Sequence, residues 1–177
     1  MMIARFSFFL VMSVAVMAQD SGKIFAVRHA EKQSDEADTP LSSKGEARAE
    51  CLARTLKDAH IASVFTTQYI RTKQTGAPTA LAAHAKAAVI EAKSNEEMVK
   101  AARLAAQSGN VLIVGHSNTI PGILSALGAP AMTIPDTTYD LLFILDTSDP
   151  QHLTTLHYCP SLPGDATSHT SNSMAKP

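Results

Sequence analysis

Two short apolar runs that each lead into a histidine place the strongest constraint on the fold. Residues 24–27 form an uncharged run that stops at Arg28 and His29, and residues 111–114 run through one glycine into His116. Short apolar runs with β-branched members and polar boundaries predict buried strands. In open α/β sheets, ligands bind at the carboxyl ends of the strands. We therefore expect both histidines at one edge of a sheet.

Helix-like and strand-like segments alternate along the chain as far as residue 127. Apolar spacing predicts further strands over 61–66 and 88–90, and helices over 46–59, 67–85, 95–106 and 118–127. Two later runs, 139–145 and 153–158, are joined by turn-forming residues and predict a hairpin. This order is typical of an α/β protein, a three-layer α/β/α domain with a mostly parallel central sheet and an antiparallel edge.

The starts of two predicted helices carry capping signals. Ser43, with Glu46 three residues later, fits a capping box at the first helix. Thr67 fits the cap of the second helix, and Pro78 predicts a break or kink within it. Arg71 follows Thr67 by one turn, so both would lie on one face at a helix amino terminus, where anions bind favourably.

The amino terminus has the pattern of a secretory signal peptide. Arg5 supplies a positive charge, and residues 6–18 form an uncharged run of 13 that ends in small residues. An uncleaved membrane anchor is the alternative, but a spanning helix needs roughly 20 apolar residues. We therefore expect a signal peptide over residues 1–18 and export to the periplasm or the medium, with no membrane contact beyond that segment.

The remaining composition indicates one exported domain. We expect this domain over residues 19–159, and a disordered tail over residues 160–177, which are rich in Pro, Gly, Ser and Thr. The 15 Lys and Arg against 16 Asp and Glu, with no Trp, argue against a nucleic-acid partner. Export permits a disulfide between Cys51 and Cys159, but the sequence equally allows two separate thiols.

The predicted sheet edge gathers side chains that favour an anion. Arg28 and His29 come from one strand, His116 from another, and Thr67 and Arg71 from the start of a helix. Guanidinium groups bind phosphate bidentately, and a neutral imidazole can attack phosphorus. These residue types therefore predict a phosphate site that could support phosphoryl transfer.

Two other interpretations of the same residues remain open. The histidines could be polar strand ends that bind no ligand, because short motifs often match by chance. A metal site formed by His29, Glu31 and His116 is also conceivable, but the adjacent charge of Arg28 would repel a cation.

Four motifs in this order resemble those of the histidine phosphatase superfamily, whose fold is phosphoglycerate mutase-like. They are Val27-Arg28-His29-Ala30-Glu31-Lys32, with alanine where glycine is commoner, Leu41-Ser42-Ser43-Lys44-Gly45, Thr67-Gln68-Tyr69-Ile70-Arg71-Thr72-Lys73-Gln74-Thr75, and Gly115-His116. The resemblance extends from about residue 23 to residue 158. It implies a phosphomonoester hydrolase that needs no metal or organic cofactor.

The resemblance also implies a role for each matching residue. His29 would attack phosphorus and become a phosphohistidine, with its second ring nitrogen bonded to a backbone carbonyl. Arg28, Arg71 and His116 would bind the phosphoryl oxygens and act in catalysis, and Thr67 would complete the phosphate site. The substrate would be a small phosphorylated molecule or a phosphoprotein, and the sequence does not choose between them. It is equally silent on oligomeric state.

The general acid is the least certain assignment. Family members place an acidic residue after the third strand, and Glu91 occupies that position here, with Glu31, Asp35 and Glu36 in the first loop as rivals. The main alternative function is a non-catalytic phosphate- or partner-binding domain. A phosphosugar mutase is a weaker alternative, because the roughly 20 residues between the third and fourth strands leave no room for the cap insertion of such enzymes.

Overall fold

A single sheet of six strands organises residues 22–162, the part of the chain that the computed structural model describes. The elements in chain order are β1 (Lys23–Arg28), α1 (Ser43–Thr55), β2 (Ile61–Thr66), α2 (Ile70–Ala82), β3 (Lys86–Val89), α3 (Asn95–Ala106), β4 (Asn110–Gly115), α4 (Ile120–Ala126), β5 (Leu141–Asp146) and β6 (Leu153–His157). The strand order across the sheet is β3-β2-β4-β1-β5-β6.

The sheet is mixed, as its sequence pattern predicts. Strands β1 to β4 pair in parallel, β5 pairs antiparallel with β1, and β6 continues that antiparallel edge. The predicted α/β class with a mostly parallel sheet and an antiparallel edge is therefore confirmed. Parallel strands point their carboxyl ends in one direction, so the residues that follow β1, β2 and β4 meet at one edge.

The helices cover both faces of the sheet. Ile24 of β1 packs in one core with Met98 of α3 and Leu124 of α4. Phe25, the next residue of β1, points into a second core with Leu52 of α1. Because successive strand residues alternate between faces, β1 is buried on both sides and its sequence is continuously apolar.

Helix α1 begins one residue away from the predicted capping box. The cap is Ser42, whose side chain accepts a hydrogen bond from the Gly45 backbone amide, so the assignment of Ser43 as the cap was wrong. A Cβ atom at Gly45 would lie 2.2 Å from the Glu31 carbonyl oxygen. The glycine therefore lets the start of α1 approach the loop that follows β1.

Helix α2 differs from its prediction at its start and at its proline. The helix begins at Ile70, three residues later than a cap at Thr67 would place its start. The Ile70 amide donates to the Asp38 carboxylate at 2.8 Å. Thr67 is not the cap; it belongs to the loop between β2 and α2. Pro78 lies inside a helix that continues to Ala82, so it does not end the helix.

Cys51 and Cys159 form a disulfide that links α1 to the segment after β6, across a sequence separation of 108 residues. The predicted signal peptide and most of the predicted tail lie outside the described residues. Leu162, inside the predicted tail, is buried. Between residues 22 and 162, no helix is both long and apolar enough to cross a bilayer.

Candidate active site

The pairing of β1 with β4 places two histidines side by side. Arg28 lies opposite Gly115 in the parallel register, and the His29 backbone amide donates to the Gly115 carbonyl at 2.9 Å. The next residue, His116, therefore lies beside His29, with 5.3 Å between the ring centroids. Both side chains are buried. The sheet register thus brings together two residues that are 87 positions apart in the sequence.

The ring of His29 is held in a single orientation. Its Nδ1 lies 2.8 Å from the Ala30 carbonyl oxygen, which can only accept, so Nδ1 carries the proton. In the neutral ring Nε2 is then unprotonated. Burial lowers the pKa of His29 to about 3, the hydrogen bond to Ala30 opposes this shift, and the charges of His116, Arg71 and Arg28 add to it. His29 is therefore a neutral imidazole with a free ring nitrogen at physiological pH.

His116 is held by the loop after β2. Its Nε2 lies 3.1 Å from the hydroxyl of Thr67, which in turn lies 2.9 Å from the hydroxyl of Thr72. Burial lowers the pKa of His116 to about 4, and the charges of Arg71 and Arg28 contribute. Thr67 therefore positions a neutral imidazole instead of capping α2.

Arg28 is anchored by the loop between α4 and β5. One terminal nitrogen donates to the carbonyl oxygens of Pro135, Asp136 and Thr138 at 3.2, 2.7 and 3.3 Å. The guanidinium stacks 4.1 Å from the ring centroid of Tyr139. Sequence reasoning missed this loop, because carbonyl acceptors carry no side-chain signature.

Arg71 approaches the histidines from the first turn of α2. Its guanidinium stacks 4.4 Å from the centroid of the Tyr69 ring and donates to the Ala37 carbonyl at 2.8 Å. Tyr69 also packs edge-on against His116, with a centroid distance of 5.3 Å. In the sequence, Tyr69 was one residue of the motif over 67–75 and had no predicted role. In the structure, its ring forms an aromatic wall of the site.

Both arginines keep an unused donor. The Nε–H groups of Arg28 and Arg71 are buried and have no hydrogen-bond partner among the described residues. Buried donors are nearly always paired in native proteins, so each unpaired donor calls for an explanation. Each Nε–H is also closed to solvent, so a phosphate oxygen would reach it only after the surrounding groups move.

Arg71 and His116 line an open cleft of about 380 Å³, whereas Arg28 and His29 are not in its wall. Its walls combine aromatic, amide and cationic side chains: Gln68, Tyr69, Arg71, Ala92, Lys93, His116, Asn118 and Thr119. Glu91 is exposed and immediately precedes the lining residues Ala92 and Lys93. The structure therefore places Glu91 near the cleft, but not in its wall.

Two of the three rival acids of the first loop, Glu31 and Asp35, are engaged elsewhere. The carboxylate of Glu31 receives three short hydrogen bonds from Arg48, and that of Asp35 pairs with Lys32 at 2.6 Å. A different carboxylate, that of Asp136, accepts from the Ser117 hydroxyl at 2.7 Å and lies 4.0 Å from Arg28, although Asp136 does not line the cleft. The sequence had not pointed to it.

The arrangement as a whole provides a nucleophile and an anion cradle. A neutral imidazole with a free nitrogen lies beside a second imidazole and two guanidinium groups, each with a buried donor to spare. Positioned charge of this kind is what phosphoryl transfer needs most. Among residues 22–162 no group of three or more His, Cys, Asp or Glu side chains is arranged to hold a metal ion.

Comparisons with known proteins bear on the family and the fold. Residues 24–98 match the family model described as the histidine phosphatase superfamily (branch 1). The matched range includes Arg28, His29 and Arg71, whereas His116 lies beyond it. Among curated proteins, no sequence matches at a significant level.

Solved structures share the fold at low sequence identity. A protein assigned as the phosphohistidine phosphatase SixA of Agrobacterium tumefaciens superposes with a TM-score of 0.57 at 21% identity, covering 77% of this chain and 97% of that one. A protein assigned as SixA of Nakamurella multipartitia gives 0.57 at 20%, covering 77% and 96%. The α-ribazole phosphatase of Shigella flexneri gives 0.58 at 15%, covering 77% and 95%.

Proposed function

We propose that the chain is a member of the histidine phosphatase superfamily and that it hydrolyses phosphomonoesters through a phosphohistidine at His29. The observation that carries this proposal is the state of the His29 ring. Its Nδ1 is committed to the Ala30 carbonyl, so Nε2 is free beside two guanidinium groups with unpaired buried donors. A nucleophile and its electrophile-binding groups thus share one site.

The reaction would proceed in two steps. In the first, Nε2 of His29 forms a bond to phosphorus while the bond to the leaving oxygen breaks. Arg28 and Arg71 would donate from their guanidinium groups to the phosphoryl oxygens, and His116 would contribute a third contact. These groups offset the charge on the equatorial oxygens in the transition state. In the second step, water attacks phosphorus and releases inorganic phosphate and the imidazole.

Two carboxylates compete for the role of general acid. Glu91 is exposed and precedes the cleft residues in sequence, and Asp136 accepts from Ser117 and lies 4.0 Å from Arg28. Glu91→Gln and Asp136→Asn should be assayed with an aryl phosphate and an alkyl phosphate. An aryl oxide leaves without a proton, whereas an alkoxide needs one, so loss of the acid slows only the alkyl substrate.

The cleft favours a substrate that extends beyond its phosphate. Tyr69 offers an aromatic wall, while Lys93 and Asn118 offer charge and hydrogen bonds. A small phosphorylated metabolite and a phosphorylated protein side chain both fit this description. Export remains part of the proposal, because a disulfide such as Cys51–Cys159 persists in oxidising compartments.

A non-catalytic phosphate-binding domain is the second candidate. It is favoured by the absence of any carboxylate among the residues that line the described cleft. Such a domain would bind vanadate through the same arginines without turnover. A phosphosugar mutase is less well supported. The sequence between β3 and β4 contains only α3 and short loops, without a cap insertion.

Hydrolysis of p-nitrophenyl phosphate by the purified protein separates these functions. We expect turnover by the wild type that is lost in His29→Ala and unchanged by a chelator. Loss of activity with the chelator would point to metal chemistry instead. Tight vanadate binding with no turnover by the wild type would favour the binding domain.

A further inference from the structure

The carboxylate next to the nucleophile is part of a buried ion pair. The Nε of Arg48 lies 2.9 and 2.8 Å from the two Glu31 oxygens, and Nη2 lies 2.7 Å from one of them. The side chain of Glu31 is only 14% exposed and that of Arg48 only 5%. Burial disfavours the charged form of Arg48, but the hydrogen bonds and charge of Glu31 outweigh it and raise the pKa of the guanidinium. Removing either partner would leave a buried charge uncompensated.

This pair bears on the peptide group that orients His29. The Ala30 carbonyl, which accepts from His29, belongs to the planar peptide unit between Ala30 and Glu31. On one side, the Ala30 amide donates to the Thr75 hydroxyl at 3.0 Å. On the other side, the Glu31 carbonyl accepts from the Ser42 amide at 2.9 Å, and the Glu31 side chain is held by Arg48. The direction of the Ala30 carbonyl therefore depends on how firmly Glu31 is fixed.

The far end of Arg48 reaches the disulfide. Its Nη1 donates to the Cys159 carbonyl at 3.1 Å. Cys159 has a φ of 52°, which is unfavourable for a residue with a side chain. Its bond to Cys51, which lies on α1 one turn after Arg48, holds it in that conformation. One continuous set of contacts thus connects the disulfide to the ring of His29.

We propose that Glu31 and Arg48 are a positioning pair for His29, and that the Cys51–Cys159 disulfide keeps this pair in place. The inference rests on the proposed role of His29 as nucleophile. If the Ala30 carbonyl turns away, nothing commits the proton to Nδ1. The other tautomer presents an N–H group to phosphorus and cannot attack. The pair therefore acts on catalysis without touching substrate.

The first test is Glu31→Gln, which keeps the size of the side chain and removes its charge. We expect kcat to fall about 10-fold with little change in KM, because the arginines that bind phosphate are untouched, and supporting groups of this kind are worth 10–100-fold. Arg48→Lys should also lower kcat, since an ammonium group cannot donate to both carboxylate oxygens of Glu31 as the guanidinium does. Val64→Ala is the control, because it weakens the buried core at a residue that forms none of these hydrogen bonds.

A second arm removes the disulfide. A dithiol reduces it to two thiols and is itself oxidised to a cyclic disulfide. Reduction should lower kcat of the wild type several-fold below the melting temperature, and should lower kcat of Glu31→Gln much less. Groups that act through one path show such non-additivity. If reduction lowered kcat by the same factor in the wild type and in Glu31→Gln, the proposed link between the disulfide and the Glu31–Arg48 pair would be overturned.

A spectroscopic readout keeps the inference separate from the proposed function. The ring nitrogens of His29, assigned by comparison with His29→Ala, should report protonated Nδ1 in the wild type and mixed tautomers in Glu31→Gln. An unchanged tautomer, with activity reduced only as in Val64→Ala, would overturn the inference. A wild type that never turns over would refute the proposed function, while the nitrogen spectra would still decide the positioning role.

Discussion

Mild acid should destabilise this protein through its two site histidines. Their pKa values in the folded state are about 3 for His29 and about 4 for His116, against 6.5 for an unperturbed side chain. As pH falls below 6.5, the unfolded chain binds protons at these positions while the folded chain does not. Stability is therefore fully present above the unfolded pKa and falls as pH drops toward the folded values.

The size of the effect follows from the two shifts. Between pH 7.5 and 5.5, each histidine that stays neutral only in the folded state contributes a loss of about 1.4 kcal/mol. The pair together would cost about 3 kcal/mol, a sizeable part of the 5–15 kcal/mol typical of folded domains. Burial of both rings makes the full shift applicable, because solvent screening is weak there.

Urea denaturation at the two pH values measures this loss. The buffers must be free of phosphate, which would bind the folded state and add stability. We expect His29→Asn and His116→Asn each to reduce the pH-dependent loss by about 1.4 kcal/mol. His84→Asn is the matched control, because His84 is exposed and its φ of 50° suits asparagine. A loss that is the same in the wild type and both site variants would refute the reasoning.

Further expectations concern the arginines and the disulfide. Arg71→Ala should lower kcat/KM for an aryl phosphate by about 10²–10³, because a donor to the transition state is lost, and steady-state kinetics would detect it. Retention of more than half the activity would contradict this role. Tyr139→Leu removes the ring on which Arg28 stacks and should weaken vanadate binding by about 0.5–2 kcal/mol in a titration, whereas Tyr139→Phe, which loses only the 3.4 Å hydrogen bond from Arg28, should weaken it less. Breaking the Cys51–Cys159 bond should lower unfolding stability by up to about 4.7 kcal/mol, the value for a loop near 100 residues, and an unchanged urea midpoint would argue against it.

The central strands β1 and β4 could be predicted because they are buried on both faces. Continuous apolar runs such as residues 111–114 have few alternatives, and a parallel sheet brings their ends to one edge. That rule predicts that His29 and His116 lie at one edge of the sheet. Their direct contact depends on the pairing of β1 with β4, which the sequence pattern did not specify.

The missed features depend on contacts between distant parts of the chain. Thr67 has the chemistry of a helix cap, but its hydroxyl bonds to His116 and Thr72 instead, and local sequence does not distinguish these partners. The disulfide depends on how closely α1 approaches the segment after β6. The anchoring of Arg28 by carbonyl groups of residues 135–138 has no signature in the residue types.

The central claim is that His29 carries the phosphoryl group during turnover. The most direct test is rapid quenching with a ³²P-labelled aryl phosphate, followed by identification of the labelled peptide. We predict an acid-labile, base-stable label on the peptide that contains His29, and none in His29→Ala. Turnover without a label, or a label on any other residue, would contradict the account.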